Sequence, residues 1–481
     1  MNNLTKIKQN AFYTLITIST RLLANVILFW LLARFYGPKL FGQFAFVHTL
    51  ATTFIVFADF GLDVLLTTNI ASKKGNKDKI FEKLFALKIL LLFCGFLLMQ
   101  VVAMNFNLSE KFRWLTLIFG FYLVFTSLNN FFVGVFRGYE VFHYEARASL
   151  VANLTLVLLT IIFLILRLEI IYVALLFAFT RILGTLVSIQ GINKVDPQIR
   201  LIPDFSGVKF LKGKAMVFGF HLIFSYLFFQ VDTLLLAKLK GDFSVGIYQA
   251  VFKLVMLPLV IPDILTFSLM PSLSRYYSEN KKDWVKLASS MGRILFVFAL
   301  PISLIMILYS NELISFIYGI ENYSLAVDVL KVFGLIILVR FSLEPFALML
   351  TTSNRQSLRL ITVVFATLLN IILNLYVIPK YDVIGASIVS LFVNTFVGLV
   401  YILSNPGETQ KWFFNFRNIL VLFLISIMGV IFYLYFKFNF VIEISLILLV
   451  YVFSIYKFYL LDFEKDLIKQ SFRKFESLIK E

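Results

Sequence analysis

Apolar runs of about 20 residues recur along most of this sequence, and each is long enough to cross the hydrocarbon core of a bilayer as a helix. About fourteen runs are present, at 11–33, 41–66, 81–103, 114–136, 148–166, 170–191, 215–236, 244–270, 290–310, 324–351, 358–378, 383–404, 418–436 and 440–460. Hydrophobic residues form 60% of the 481 residues and charged residues 15%, whereas soluble domains average about 45–50% and about 25%. The sequence therefore predicts an all-α, polytopic membrane protein with about 14 transmembrane helices.

The basic residues between these runs are distributed unevenly. With the N-terminus placed in the cytoplasm, the cytoplasmic segments hold 28 of the 44 Lys and Arg residues and the external segments hold 9. Lys and Arg collect in the cytoplasmic loops of membrane proteins. The split predicts that both termini are cytoplasmic. Because this orientation and the contact with membrane lipids account for the net charge of +17, no nucleic-acid partner is predicted.

Several function classes are excluded by what the chain lacks. One cysteine and three scattered histidines are too few for a disulfide framework or a Cys/His metal site. The longest segments between runs, 192–214 and 271–289, leave no room for an extramembrane catalytic domain. A nucleotide-binding loop of the form G-x-x-x-x-G-K-[ST] is absent. The sequence therefore predicts a transporter with no cofactor or metal, not an enzyme.

An internal repeat supports transport more directly. The segment 31–65 recurs at 235–269 with ten of 35 positions identical, including the pairs Gly37/Gly241, Gly42/Gly246 and Asp59/Asp263. Six predicted helices separate the copies, so the two halves have the same orientation in the membrane. Two parallel bundles around a central cavity suit alternating access.

The repeat and the apolar runs together predict the domain organisation. We expect an N-terminal six-helix bundle, a cytoplasmic linker, a C-terminal six-helix bundle, an additional helix pair and a cytoplasmic amphipathic tail, at 1–191, 192–214, 215–404, 405–460 and 461–481. The tail combines apolar residues at helical spacing with interspersed lysines and an arginine, a pattern typical of a helix lying on the inner leaflet.

Two matching segments carry a resemblance to a known family. The residues 33–42 (ARFYGPKLFG) followed by 58–62 (ADFGL), and in the second half 231–236 (VDTLLL), 246–248 (GIY) and 271–275 (PSLSR), resemble bacterial polysaccharide flippases of the Wzx type. These belong to the multidrug/oligosaccharidyl-lipid/polysaccharide exporter superfamily.

The resemblance implies a multi-pass protein of the bacterial cytoplasmic (inner) membrane. Its substrate would be an undecaprenyl-diphosphate-linked oligosaccharide repeat unit, moved from the inner to the outer leaflet during biosynthesis of a surface polysaccharide such as O-antigen (lipopolysaccharide) or capsule. The resemblance also implies that the last helix pair offers a groove for the lipid tail. A partnership with the polysaccharide polymerase machinery stays open.

Basic residues inside the apolar runs are the candidates for substrate binding, because a charge at mid-bilayer costs about 2.5–3.5 kcal/mol and should face water or a partner. Lys88 and Lys457 lie near cytoplasmic ends, where a lysine stem can reach the interface. We expect the deeper residues to line an electropositive cavity for the diphosphate, together with one asparagine on the same helical face: Arg21, Asn25, Arg181, Lys253 and Arg340. The competing interpretation is that each base pairs with an acid and braces the bundle, the available acids being Asp59, Asp232, Asp263 and Glu344.

The same acids suggest energy coupling. Asp59 and Asp263 are equivalent in the repeat, and Glu344 follows Arg340 by one helical turn. A desolvated carboxylate can take up and release H+ or hold Na+, so these three residues are the candidates for ion coupling, against a purely structural role.

Two further function classes stay open at this point. One is an ion-coupled multidrug or small-molecule antiporter of the same superfamily, which would favour acidic residues in its cavity. The other is a membrane glycan polymerase, which would need more external sequence than the chain provides. The identity of the sugars and of the driving gradient is left undetermined.

Overall fold

The structure is a computed structural model that describes residues 3–72, 77–106, 110–206, 214–405 and 440–459, with residues 427, 430, 431 and 433. Within these ranges every extended regular element is a helix. The helices are α1 Asn3–Asp59, α2 Leu62–Ala71, α3 Lys77–Met104, α4 Glu110–Gly138, α5 Phe142–Ile165, α6 Ile170–Val195, α7 Lys214–Leu239, α8 Asp242–Val255, α9 Val260–Glu279, α10 Lys281–Leu308, α11 Ser310–Ile317, α12 Ile320–Thr352, α13 Gln356–Leu403 and α14 Phe440–Ser454. A π-helical turn, Ile455–Tyr459, follows α14.

The predicted all-α membrane fold is confirmed. The described part of the chain contains nine helices that are long and apolar enough to cross a membrane, or ten when the bent pair α8 and α9 is counted as one span. Two of these helices, α1 and α13, each cover two predicted runs. Of the run 418–436 only residues 427, 430, 431 and 433 are described, so the count of about 14 stays a prediction.

The two long helices each contain a sharp break. In α1 the break is at Gly37, with φ 72° and ψ 171°, and Pro38 follows it. In α13 the break is at Asp382, with φ 51°, three residues after Pro379. Glycine adopts positive φ without steric cost, and proline removes a backbone donor. Both breaks fall between predicted spans, where the chain reverses direction.

Two predicted runs are interrupted where the sequence suggested a single span. The run 41–66 breaks after α1, because Phe60 and Gly61 both have positive φ, at 41° and 75°. The run 244–270 bends by 45° between α8 and α9. Pro258 lies in that bend and cannot donate the hydrogen bond that would continue α8.

The chain divides into two compact units, Met1–Leu254 with Thr367–Ala386, and Val255–Ala366 with Ser387–Glu481. In unit 1, α1 packs against α3, α4, α5 and α7, and α4 packs against α6. In unit 2, α10 packs against α9, α11, α12 and α14. The predicted domain boundaries stay predictions, and the tail 461–481 lies outside the described ranges. Part of the predicted linker 192–214 packs on unit 1, since Ile199 is buried in the core formed by α2, α3 and α4.

The repeated glycines contact each other inside unit 1. A Cβ atom on Gly42 would overlap the carbonyl oxygen of Asp242, and a Cβ atom on Gly246 would overlap the carbonyl oxygen of Pro38. Asp242 stands 204 positions after Pro38, the same offset that relates the two glycines. The contact is therefore reciprocal, with equivalent residues of each copy in equivalent roles, and we call it the glycine contact (Pro38, Gly42, Asp242 and Gly246).

A second pair of contacts follows the same relation. The Tyr36 hydroxyl donates to the Leu168 carbonyl at 2.7 Å, in the turn between α5 and α6. Lys240, at the position equivalent to Tyr36, donates its Nζ to the Pro379 carbonyl at 2.9 Å, just before the break in α13. Different side chains thus make the same tie to corresponding turns, which supports the repeat seen in the sequence.

The glycine contact predicts a cross-link and its loss. In a Cys94→Ser background, cysteines replacing Gln43 and Asp242, whose side chains hydrogen-bond at 2.8 Å, should form a disulfide on mild oxidation. Adding Gly246→Leu should reduce the yield several-fold, because a side chain there meets the Pro38 backbone.

The matched control for this cross-link is Gly95→Ala, where an added Cβ meets its nearest neighbour at an ordinary 3.4 Å. A yield that Gly246→Leu and Gly95→Ala leave equally unchanged would contradict the contact.

Candidate functional site

Three of the predicted cavity bases lie in unit 1: Arg21 on α1, Arg181 on α6 and Lys253 on α8. Arg21 is exposed, whereas Arg181 and Lys253 are half-buried. Within the described residues none of the three forms an ion pair with a carboxylate. The arrangement therefore differs from the bracing salt bridges that the sequence left as the competing interpretation.

Arg21 and Arg181 interact electrostatically with each other. Arg21 also interacts electrostatically with Arg137 and Glu145. Arg137 and Glu145 form an ion pair, in which two guanidinium nitrogens donate to the carboxylate at 2.6 and 3.0 Å. Since Arg137 is neutralised by Glu145, the cluster carries excess positive charge. Like charges repel most strongly where water is excluded, so such a cluster favours a hydrated space or a bound anion.

Arg181 is positioned by neighbouring side chains, but not all of its N–H donors have an acceptor. Its Nη2 donates to the Asn153 side chain at 3.1 Å, and its guanidinium carbon lies 5.7 Å from the centre of the Tyr122 ring. Its Nε is buried without a hydrogen-bond partner in the described part of the chain. A buried guanidinium N–H without an acceptor is costly, and an anion could supply the missing acceptor.

Polar residues one or two helical turns from Arg21 and Arg181 hydrogen-bond to other groups. Thr185 donates to the Phe125 carbonyl at 3.0 Å and Ser188 donates to Asn129 at 2.8 Å, so both tie α6 to α4. Asn25 donates to the Arg21 carbonyl at 3.1 Å, one turn back on α1. The place of Asn25 in the cavity stays a prediction.

Lys253 and His48 lie in an aromatic environment. The Lys253 Nζ is 4.2 Å from the centre of the Phe29 ring, a geometry in which the ring face attracts the cation. His48 is buried and packs against four rings, those of Phe29, Phe119, Tyr122 and Phe177. His48 is therefore part of the aromatic core of unit 1.

Asp59 is bound by a lysine that the sequence analysis placed at the membrane interface. Lys88 is 1% exposed, and its Nζ lies 2.5 Å from one Asp59 carboxylate oxygen and 2.6 Å from Ser127. Asn130 donates to the other Asp59 oxygen at 2.9 Å. The expectation for Lys88 was wrong, because its side chain is buried and pairs with the half-buried Asp59 instead of reaching the interface. Ser127 and Asn130, three residues apart on α4, were the polar pair that could have indicated this site.

This arrangement leaves little room for ion coupling at Asp59. The Lys88 ammonium already occupies the position that a coupling cation would take, and the carboxylate also accepts from Ser127 and Asn130. The contacts therefore favour a structural role for Asp59.

Asp232 is a second acid of unit 1 that already accepts hydrogen bonds from other side chains. It is 2% exposed and accepts from the Tyr248 hydroxyl and the Asn374 amide, both at 2.7 Å. The nearby bases Lys238 and Lys240 donate to backbone carbonyls. Asp232 thus ties α7 to α8 and α13 within unit 1.

The remaining predicted residues lie together in unit 2. Asp263 is exposed in the first turn of α9, and Arg340 and Glu344 lie one turn apart on α12. Asp263, Arg340 and Glu344 interact electrostatically, and Thr266 contacts Glu344 at 3.4 Å. Arg340 therefore has acidic neighbours, unlike the three bases of unit 1. Among the described residues no group of three His, Cys, Asp or Glu is arranged to hold a metal ion.

The buried Lys88–Asp59 pair predicts a large stability effect. Lys88→Ala should lower the free energy of unfolding by about 3–5 kcal/mol, because it removes the buried cation that pairs with the half-buried Asp59 carboxylate. The melting temperature in detergent measures this loss, and adding Asp59→Asn should restore part of it.

The control for this effect is Lys331→Ala, which breaks an exposed 2.8 Å pair with Asp328 and should cost about 0–1 kcal/mol. Equal melting temperatures for the two lysine variants would contradict the assigned role of Lys88.

Comparison with known proteins identifies the fold and family. The solved structure of the lipid II flippase MurJ in an inward closed conformation aligns over 95% of this chain and 100% of that chain, with a TM-score of 0.71 and 17% identity. An inward-facing multidrug resistance MATE family transporter aligns over 83% of this chain and 98% of that chain, with a TM-score of 0.66 and 13% identity. At these identities the likeness shows the fold.

Two curated relatives match parts of the sequence. A putative O-antigen transporter of Escherichia coli is 24% identical over 169 residues, which are 34% of this chain and 39% of that protein. A probable flippase, AglR, of Haloferax volcanii is 28% identical over 185 residues, which are 37% of this chain and 38% of that protein. The chain thus matches less than two-fifths of the length of either relative.

Family models cover more of the chain. The MatE model matches residues 218–376. The model described as polysaccharide biosynthesis protein matches residues 7–277, more than half of the 481 residues. This is a multi-pass membrane protein with the fold of the multidrug and flippase transporters, and it belongs to the polysaccharide biosynthesis protein family.

Proposed function

We propose that this protein moves an undecaprenyl-diphosphate-linked oligosaccharide repeat unit from the inner to the outer leaflet of the bacterial cytoplasmic membrane by alternating access. The product would serve biosynthesis of a surface polysaccharide of the O-antigen or capsule type. The observation that carries this proposal is the group of three bases in unit 1, Arg21, Arg181 and Lys253, which have no carboxylate partner among the described residues.

A diphosphate is the chemistry that such a group suits best. Arginine presents a planar fork of donors that matches phosphate oxygens, and hydrogen bonds between charged partners are about twice as strong as neutral ones. Arg181 still has one buried N–H without an acceptor among the described residues. An entering diphosphate would satisfy that donor and relieve the repulsion between Arg21 and Arg181. A cationic drug would increase the repulsion.

The names of the matched proteins support the same class of cargo. One relative is named for transport of O-antigen and another as a flippase, and the aligned structure is a lipid II flippase.

The distribution of Lys and Arg supports an orientation with both termini in the cytoplasm. In this orientation, the glycine contact lies toward the external side. Neither the fold nor the charge pattern calls for a covalent reaction, so we propose transport without catalysis.

Ion coupling is proposed at Asp263 and Glu344. Asp263 is exposed and shares an electrostatic environment with Glu344 and Arg340, whereas the Asp59 carboxylate is already bound by Lys88. Two carboxylates near one guanidinium can bind and release a proton or a sodium ion, because the guanidinium balances the negative charge of one carboxylate throughout. The coupling ion would be H+ or Na+.

The cavity proposal predicts the effect of removing an arginine. Arg181→Ala should slow flipping of a fluorescent undecaprenyl-diphosphate glycan in proteoliposomes by at least about tenfold, since charge-assisted hydrogen bonds contribute about 1.5–3 kcal/mol. Arg181→Lys should recover only part of the rate, because an ammonium cannot reproduce the planar fork. Arg21→Ala should behave like Arg181→Ala.

The matched control for these arginines is Arg275→Ala, which removes an exposed arginine 4.0 Å from Glu279 on unit 2. The melting temperature is measured alongside the rate. An Arg181→Ala protein that melts earlier but flips at the wild-type rate would assign Arg181 to bracing and remove the basis of the proposal.

The coupling proposal predicts the effect of neutralising an acid. Asp263→Asn should abolish the acceleration of flipping by an imposed proton or sodium gradient, while the rate without a gradient changes little. The comparison is Asp328→Asn, which neutralises another exposed acid on unit 2. If both variants respond to the gradient like the wild type, Asp263 does not couple.

One alternative is favoured by a specific observation. The MatE model matches residues 218–376 and a MATE transporter aligns structurally, so an ion-coupled drug antiporter is the second candidate. The antiporter predicts gradient-driven uptake of an organic cation such as ethidium, and the glycolipid should not inhibit that uptake. The flippase predicts no such uptake.

A further inference from the structure

A small cavity lies in unit 1 behind the turn that joins α7 to α8. Its volume is about 270 Å³, and it is lined by Phe46, Phe106, Phe112 and the segment 237–242. A neighbouring cavity of about 300 Å³ shares Phe106 and is lined by Arg113 and Gln100 among others. Neither cavity includes Arg21, Arg181 or Lys253, so this is a different place from the proposed diphosphate site.

The rim of these cavities is positively charged. Lys238 and Lys240 line one cavity, Arg113 lines the other, and all three are exposed. The acid in the wall, Asp242, already accepts from the Gln43 amide at 2.8 Å. The excess of bases over acids makes the pair of cavities suitable for an anionic group.

The two lysines are positioned and still have donors to offer. Lys238 donates to the Asn105 carbonyl, and its Nζ lies 5.5 Å from the centre of the Phe106 ring. Lys240 donates to the Pro379 carbonyl at 2.9 Å. An ammonium has three N–H donors, so each lysine is held by one backbone contact and keeps others for a ligand.

The floor of the first cavity is aromatic. The Phe46 ring centre lies 4.7 Å from that of Phe106 and 5.8 Å from that of Phe112. Phe46 and Phe112 are 1% and 3% exposed, so they are fixed by packing. A sugar ring has an apolar C–H face that packs on such rings and hydroxyl groups that reach a polar rim. At about 270 Å³ the cavity lies below the usual range for drug-sized ligands, about 300–1,000 Å³, which fits one sugar ring.

We propose that this cavity is a binding site for a single anionic sugar residue, one bearing a carboxylate or a phosphate. Lys238 and Lys240 would contact the anion, and Phe106 would pack on the ring. Gly241 and Asp242 form part of the wall, and Asp242 also belongs to the glycine contact. Binding of an anionic sugar at this site does not depend on the proposed function. That the site contacts the sugars of a transported glycolipid rests on the proposed function.

The test uses the full-length protein in phosphatidylcholine nanodiscs and measures binding of sodium glucuronate by saturation-transfer NMR. Glucuronate should bind at least about tenfold more tightly than glucose, the value expected from one charge-assisted contact. Lys238→Ala/Lys240→Ala should lose this preference. The matched control is Lys331→Ala, which removes an exposed lysine of unit 2 and should keep it. Equal binding of glucuronate and glucose, or a preference that survives the double variant, overturns the proposal.

Two further arms separate the source of the anion. Inorganic phosphate that binds as tightly as glucuronate would show that the sugar ring contributes nothing, which overturns a sugar site. Nanodiscs containing phosphatidylglycerol should leave the glucuronate affinity unchanged. A loss of affinity there, absent in Lys238→Ala/Lys240→Ala, would assign the cavity to a lipid headgroup and also overturn the proposal.

Flipping of a neutral undecaprenyl-diphosphate glycan distinguishes the two proposals. If the double variant flips it normally but cannot bind glucuronate, the sugar site and the flippase assignment both stand. If the wild type binds glucuronate selectively but flips no glycolipid, only the flippase assignment fails. If the wild type flips glycolipid but shows no preference for glucuronate, only the sugar site fails.

Discussion

The cost of holding a charge inside a bilayer determines how the polar residues of this chain are arranged. Lys88 is buried, where it pairs with the Asp59 carboxylate and contacts two further polar groups, and Lys253 lies over an aromatic ring. Arg21 remains exposed beside other cations instead. A protein that only needed stable helices would have no reason to keep such a group. This arrangement is the basis on which we propose that the cluster receives an anionic group of the cargo.

The two compact units use their charges differently. In unit 1, Asp232 is buried and Asp59 is half-buried, and both already accept hydrogen bonds, so neither acid neutralises Arg21, Arg181 or Lys253. In unit 2, Arg340 has two acids near it. This separation suits a transporter in which one group of residues holds the cargo and another responds to a driving ion.

The fold could be predicted from the sequence further than the site could. Apolar runs of sufficient length must form helices in lipid because the backbone finds no other hydrogen-bond partner there. The break at Phe60 and Gly61 depends on local backbone geometry inside an otherwise apolar run. The Lys88–Asp59 pair joins residues 29 positions apart, on different helices, so helical spacing carried no information about it. Arg181 stays a predicted site residue, and its contact with Asn153 on α5 could not be inferred from helical spacing along α6.

The glycine contact has a consequence for the history of the chain. A contact in which residue i of one copy meets residue j of the other, and j meets i, is what a two-fold homodimer makes. Fusion of two such half-length ancestors would place that interface inside one polypeptide. Before fusion any substitution would have struck both sides at once; afterwards each side could change alone. Pro38 and Asp242, now different residues in equivalent places, record that independence, while the glycines they touch had no room to diverge.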